Sequence, residues 1–442
     1  MGNYAGDIVI CLIVLFSLCF LYGTTHIITS FVGSGENILS SKTYYSWIVR
    51  FLLNFLGYST VLLPGYLIYK YVRISQYLQR RGKGCLSKLV HSCFVGSGDQ
   101  GLLDSSLPLI GPSRTFYQDT LILIHCFLGL QVSYLTWGYL QEKIMTQEYE
   151  DSNGNKGHFK DSQFLVFINR VLAVVISAVC LLLIRQPSHT IPLYKYAFCS
   201  FSNVLSSWCQ YEALKYVSFP TQVLAKASKI IPVMIMGKIV SRSKYEYYEY
   251  VTAVLISIGM MMFMFGSTDH ENDGATTFSG IVLLGAYMTL DSFTSNWQNA
   301  LFTDYGVSSI QMMCAVNIFS CLLTATSLLQ QSSLMYSLTF VTTYPHFVVD
   351  CILISIFSTT GQLYIFYTIS NFGAVTFIIM MTVRQGFAIL LSCLIYHHYI
   401  TPLGIFGIII VFLAVFLRIY CNNRLKAIKK RRAEAIGIKN KP

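Results

Sequence analysis

Charge is what this chain has least of. Only 12% of its 442 residues are Asp, Glu, Lys or Arg, where soluble domains carry about 25%. With 54% hydrophobic residues and a mean hydropathy of +0.55, the composition excludes an ordinary water-soluble fold. It leaves an all-α polytopic membrane protein, in which the bilayer rather than a water-free core sets the organisation. Other absences narrow the class further. The 13 cysteines include no C-x-x-C pair. They fall in apolar runs (Cys11, Cys126, Cys180, Cys209, Cys321, Cys393) or in basic loops and span ends (Cys85, Cys93, Cys421). A disulfide framework is therefore excluded, and the cysteines read as small apolar fillers. No N-x-S/T sequon occurs, so glycosylation marks no lumenal loop. There is no P-loop, no nucleophile–base arrangement and no metal-ligand cluster; His397-His398 is adjacent rather than spaced i, i+4. The residues point to no enzyme, no ATP-driven pump, no cofactor and no metal. Gly96-Ser97-Gly98-Asp99-Gln100-Gly101 spells G-x-G-x-x-G, but without a preceding strand or a βαβ setting it reads as a loop.

What the chain has in abundance is long apolar runs. Two occupy 7–28 and 49–71; the leading MGNYAGD has no basic residue, which favours a retained span over a cleaved signal peptide. Ten more follow at 119–140, 163–185, 193–214, 219–239, 248–266, 278–300, 309–330, 347–368, 373–396 and 401–420, each near the roughly 20 residues that cross a bilayer. The formal charge of +11 is unevenly spread. The 72–117 loop, the 240–247 link (Arg242, Lys244) and the tail from Arg424 to Arg432 are basic. The 141–162 loop (Glu148, Glu150, Asp151, Asp161) and the 267–277 loop (Asp269, Glu271, Asp273) are acidic. Twelve spans with a cytosolic N-terminus put every basic segment in the cytosol and every acidic one opposite, with both termini cytosolic.

The last ten spans divide into two sets of five, which inverts the second set and places a solute site near the midplane. This gives two N-terminal helices in 1–72, a basic loop at 73–117, repeats at 118–266 and 267–420, and a tail at 421–442. In corresponding spans, Lys226 and Lys229 face Arg384 as counterparts, and Gln210 faces Gln362.

Those three cations are the candidate site. Each charge at the centre of a bilayer helix costs roughly 2.5–3.5 kcal/mol on insertion scales, so a chain that retains three needs them to face something negative. Lys226 and Lys229 stand at i and i+3, hence on one side of a helix, with Pro232 a turn later. The alternative is snorkelling to headgroups. Arg384 can grip phosphate or sulfate with paired hydrogen bonds, or be held by a buried carboxylate, for which Asp291 is the obvious candidate. Around Asp291, the run through Ser292, Thr294, Ser295, Asn296, Trp297 and Gln298 suits either a wet path or helix-to-helix bonding. Asn296 and Trp297 could address a base. Tyr134, Trp137, Tyr364 and Tyr367, beside Gln131 and Gln362, are candidate stacking residues or an interface belt. Arg170, next to Asn169 in another span, could pair with an acidic group.

Five blocks, LTWGYLQEKIMT (135–146), KASKIIPVMIMGKIVSRSKYEYYEYVTA (226–253), LDSFTSNWQNALF (290–302), VSSIQMMCAVNIFSCLLT (307–324) and TVRQGFAILLSCLIY (382–396), resemble the nucleotide-sugar transporter family over about 119–420. The resemblance implies a ten-helix fold of two inverted five-helix repeats, antiport of a cytosolic donor against a lumenal nucleotide, and Golgi residence. It places Lys226, Lys229 and Arg384 in the helices that line the family's substrate cavity. Many UDP-sugar carriers have Arg-Lys where this chain has Arg384-Gln385. The difference favours adenosine 3′-phospho 5′-phosphosulfate (PAPS), exchanged for an adenine nucleotide, over a sugar nucleotide. The expected ligand contacts are Lys226, Lys229, Arg384, Gln385, Asn296, Ser295, Tyr364 and Gln362. A UDP-sugar antiporter of the same fold and a non-transporting membrane scaffold are the alternatives, a homo-oligomer is compatible with either, and nothing points to nucleic acid.

Overall fold

The computed structural model describes residues 5–33, 46–75, 85–94, 116–150, 156–159, 162–184, 186, 191–213, 216–217, 229–240, 242, 244–267, 278–330, 333–395 and 401–439. The chain is a helical polytopic membrane protein. In order it forms α1 (Ala5–Gly33), α2 (Ser46–Ser75), α3 (Cys85–Phe94), α4 (Phe116–Thr146), β1 (Glu148–Glu150), β2 (Lys156–His158), α5 (Ser162–Leu183), α6 (Tyr194–Ala213), α7 (Ile230–Val240), α8 (Tyr247–Ser267), α9 (Phe278–Tyr305), α10 (Ser309–Gln330), α11 (Ser333–Thr343), α12 (Pro345–Ile395) and α13 (Pro402–Lys439). Among the described residues, six helices are long and apolar enough to cross a membrane by themselves. Each helix satisfies its own backbone, as hydrocarbon demands. Many hydroxyls do likewise: Ser177 Oγ donates to Ala173 O and Thr382 Oγ1 to Ile378 O. Outward faces stay apolar, as at Leu15 and Phe16 on α1 or Leu413 and Phe416 on α13.

Most helix bounds follow the apolar runs; α7 covers only the second half of the 219–239 run, residues 218–228 lying outside the described residues, and α13 continues past 420 through the basic tail to Lys439. The spans expected at 347–368 and 373–396 are joined in α12, with the break at Gly373, whose φ of 82° lies where glycine alone is unstrained. Three elements were not expected: α3 inside the basic loop, the β1–β2 hairpin inside the acidic loop, and α11 between two spans. The G-x-G-x-x-G segment, residues 268–277 of the acidic loop and His397-His398 lie outside the described residues.

The chain forms two compact units, Met1–Leu205 with Ala300–Asn371, and Ser206–Asn299 with Phe372–Pro442. Each unit draws on both of the halves into which the sequence divides. In the first, α10 is the hub, packed by α5 and α2. Ser327 on α10 donates to Asn54 of α2 and accepts from Gln163 of α5, each at 3.1 Å, so one hydroxyl ties three helices. Tyr58 of α2 is fully buried, its ring edge-on to Phe201 of α6.

One end of this unit is closed by the hairpin, paired Tyr149 to Gly157. Tyr149 and Phe159 turn inward onto Phe340, Tyr344 and Phe347, with ring centroids 4.6 to 6.2 Å apart among the hairpin's contacts with the two phenylalanines. Gly157 is required here, since a Cβ would lie 2.4 Å from the Tyr344 hydroxyl. Beneath the rings, Asp350 receives Lys143 Nζ at 2.9 Å and the Tyr149 hydroxyl at 3.0 Å. Burial first, and the Asp350 carboxylate second, push the Tyr149 hydroxyl above its ordinary value, so it remains a donor at neutral pH.

The second unit is built on α8 and α13. They cross at Gly259 and Gly407, where a Cβ on Gly407 would stand 2.5 Å from the Gly259 carbonyl. Small residues allow this approach of backbones inside a membrane. Glu249 and Arg418, both largely buried, form an ion pair at 3.1 Å between the same helices.

Removing Asp350 strips Lys143 and Tyr149 of their shared acceptor, whereas removing the Tyr149 hydroxyl leaves the ring packing intact. We expect Asp350→Ala to destabilise the purified protein by about 1–3 kcal/mol and Tyr149→Phe by about 1 kcal/mol. Thermal unfolding in detergent checks both, and equal losses would contradict the shared-acceptor arrangement.

Candidate functional site

Of the three candidate cations, Lys229 is the one whose surroundings are best defined. It immediately precedes α7, and its carbonyl accepts from Val233 N to start that helix. The side chain is mostly buried, with 13% of it exposed, and its ammonium is ion-paired with Asp291 on α9. Tyr287, one turn before Asp291, places its ring 5.6 Å from the same ammonium. An ammonium between a carboxylate and an aromatic face is stabilised from two directions. Asp291, offered by the sequence as a partner for Arg384, is thus engaged by Lys229.

The helix that carries Asp291 is held in register by its own polar run. Asn296, 1% exposed, donates Nδ2 to Val233 O on α7 and to Ser292 O, both at 2.9 Å. Its Oδ1 lies where a Cβ on Gly237 would come to 2.8 Å. Ser295 and Thr294 turn their hydroxyls back to Asp291 O and Leu290 O. Trp297 stacks on Phe293, with centroids 5.6 Å apart. In this conformation the Ser295 hydroxyl is spent within α9 and Asn296 ties α9 to α7, which fixes where Asp291 and Tyr287 stand relative to Lys229.

Arg384 lies in α12 beyond Gly373, half-buried, in the same unit as Lys229 and Asp291. Gln385 follows it in the helix, and its side chain lies outside the described residues. So does Lys226.

Gln362 and Tyr364 belong to the first unit. Gln362, 8% exposed, accepts from Asn317 Nδ2 at 2.9 Å. Tyr364 fills a notch on α4: a Cβ on Gly129 would meet its ring at 2.3 Å, while the Tyr134 ring lies against Gly361. Its hydroxyl is 3.3 Å from His125 Nε2. Sequence reasoning missed Asn317, Tyr287 and His125. Asn317 had a readable signal, an amide within the apolar run 309–330. Tyr287 had none, because one tyrosine among 30 is marked only by its neighbours. Among the described residues no group of His, Cys, Asp or Glu is arranged to hold a metal ion.

The arrangement can present positive charge to an anion, with Asp291 as the internal counter-ion of Lys229. It offers no activated nucleophile.

The profile of the UAA transporter family matches residues 122–422. The chain is 49% identical over 457 residues to the adenosine 3′-phospho 5′-phosphosulfate transporter 1 of Drosophila melanogaster, covering 99% of this chain and 97% of that protein. The Homo sapiens protein of the same name is 51% identical over 386 residues, 86% of this chain and 88% of its own. The UDP-galactose/UDP-glucose transporter 5B of Arabidopsis thaliana is 37% identical over 302 residues, 67% of this chain and 87% of its own.

If Lys229 and Asp291 are coupled, removing either alone leaves a charge in an apolar setting. We expect Asp291→Leu to lower stability by about 1–3 kcal/mol, less than for a fully dry pair, and Lys229→Met/Asp291→Leu to recover most of it. Melting temperatures of these two variants and of Lys229→Met alone check this; additive losses would show the two residues to be independent.

Proposed function

Because the chain belongs to the UAA transporter family, we propose that it carries PAPS from the cytosol into the Golgi lumen, in exchange for an outgoing adenine nucleotide, to supply sulfotransferases. The observation that carries this reading is the likeness over nearly the whole chain, at 49%, to a relative named as a PAPS transporter. The family is one of transporters, and nothing in the chemistry of the described residues calls for an enzyme.

The physical reading supports the same conclusion. PAPS bears a 3′-phosphate and a 5′-phosphosulfate and cannot cross lipid unaided. Lys226, Lys229 and Arg384 are the proposed counter-charges, with Gln385 beside Arg384. Asp291 is ion-paired with Lys229. A phosphate or sulfate oxygen would take its place, leaving Asp291 to hydrogen-bond elsewhere or to meet water. An empty carrier and a loaded one then each keep the lysine paired while the protein reorients. Alternating access would follow from rocking of two inverted five-helix repeats, 118–266 and 267–420. Gln362, Tyr364, Ser295 and Asn296 are the proposed further contacts made during the cycle; for Ser295 and Asn296 this requires that bonds now spent on the helices be exchanged. The two N-terminal helices stand outside the family profile, and α2 buttresses α10.

A UDP-sugar antiporter is the second reading, favoured by the plant relative at 37% identity. Reconstituted protein loaded internally with adenosine 3′,5′-bisphosphate should take up labelled PAPS, unaffected by excess UDP-galactose. Lys229→Ala and Arg384→Ala should each lower uptake by at least tenfold, since a hydrogen bond to a charged group contributes roughly 1.5–3 kcal/mol. Wild-type rates in both variants would overturn the roles of the cations, and inhibition by UDP-galactose would favour the second reading.

A further inference from the structure

One intramembrane cation has no part in the reading above. Arg170 lies well inside α5, in the first unit. Its Nη1 donates to Asn317 Oδ1 at 3.2 Å and its Nη2 reaches Asn203 Oδ1 at 3.5 Å. Asn317, 0% exposed, in turn donates Nδ2 to Met313 O at 2.8 Å and to Gln362 Oε1 at 2.9 Å.

The order of donors along this chain is forced. A guanidinium has donors and no acceptor, so Asn317 must turn Oδ1 toward it. The Nδ2 group then points away and needs acceptors, which the Met313 carbonyl and Gln362 Oε1 supply. Gln362 has only one oxygen on its amide. Once that oxygen faces Asn317, Nε2 and its two N–H groups must face the other way. Among the described residues none accepts from Nε2. The side chain is largely buried, yet Nε2 itself stays accessible, so its donors can meet an acceptor that arrives from outside the helices.

We infer that Arg170 is a positioning residue for substrate. Through Asn317 it fixes the Gln362 amide so that only N–H donors meet the ligand, the polarity that suits the oxygens of a phosphate or sulfate group. The inference rests on Gln362 being a ligand contact, as proposed above. It does not require Arg170 to touch the substrate.

The variants Arg170→Lys, Arg170→Gln, Asn317→Asp and Gln362→Leu separate this from a merely structural role. Lysine is also donor-only, so Arg170→Lys should keep the KM for PAPS within about threefold of wild type. A glutamine at 170 can offer either amide atom, which leaves the Met313 carbonyl alone to hold the Asn317 amide in order; KM should rise about tenfold with little change in turnover. Asn317→Asp accepts on both sides, turns the Gln362 amide round and sets Oε1 against the anion, so its KM should rise further. Gln362→Leu should match Arg170→Gln, and the double variant should be no worse than Gln362→Leu alone. Melting temperatures in detergent identify variants that fail to fold, and Asn317→Asp, which keeps size and shape, serves if Arg170→Gln does. Unchanged KM in Arg170→Gln and Asn317→Asp, or losses confined to turnover and melting temperature, would overturn the inference while leaving PAPS transport standing. Wild-type vesicles that take up no PAPS would overturn the transport reading and this inference together.

Discussion

A charge brought into hydrocarbon must be answered within the protein, and the described structure shows how several of its interior charges are held. Glu249 and Arg418 form a pair between α8 and α13, beside the glycine crossing that brings those helices together. The pair joins the two helices, as a bolt would. Lys229 and Asp291 are likewise paired, but with Tyr287 below and a helix-holding amide, Asn296, one turn beyond the carboxylate. Arg170 is answered by the oxygens of neutral amides.

On the function proposed above, that difference would separate scaffold from function in a chain with few charged groups. A bolt needs the closest packing, which Gly259 and Gly407 supply. A carrier needs counter-ions that leave at modest cost, and a carboxylate still 26% exposed is easier to rehydrate than a dry one. The aromatic end of the first unit is of the first kind. Tyr149, Phe159, Phe340 and Phe347 are packed ring on ring, with Asp350 binding Lys143 and Tyr149 beneath. It holds α4, α5, α11 and α12 at one end, so motion of that unit is expected to carry them together.

The candidate site was legible in part. Lys229 and Arg384 were conspicuous because charge in an apolar run is costly wherever the helix turns. The roles of Ser295 and Asn296 were not legible. A hydroxyl or amide in a span can serve a ligand or a neighbouring backbone, and only the position of the Val233 carbonyl decides that Asn296 is spent on α7 in this conformation. Tyr364 is similar: its ring was a candidate for stacking on a base, and the fold lays it on Gly129.

By itself the sequence determined the class of protein, the bounds of most helices and the alternation of charge across loops. These depend on local hydropathy over about 20 residues, a length set by the bilayer and not by the rest of the chain. Only the tertiary structure decided that Asp291 meets Lys229, that Asn317 stands between Arg170 and Gln362, and that a hairpin in an acidic loop packs under α11. Each of those contacts joins residues tens to hundreds of positions apart. In hydrocarbon, where every neighbour is equally apolar, the sequence pattern of one helix does not say which other helix it will touch.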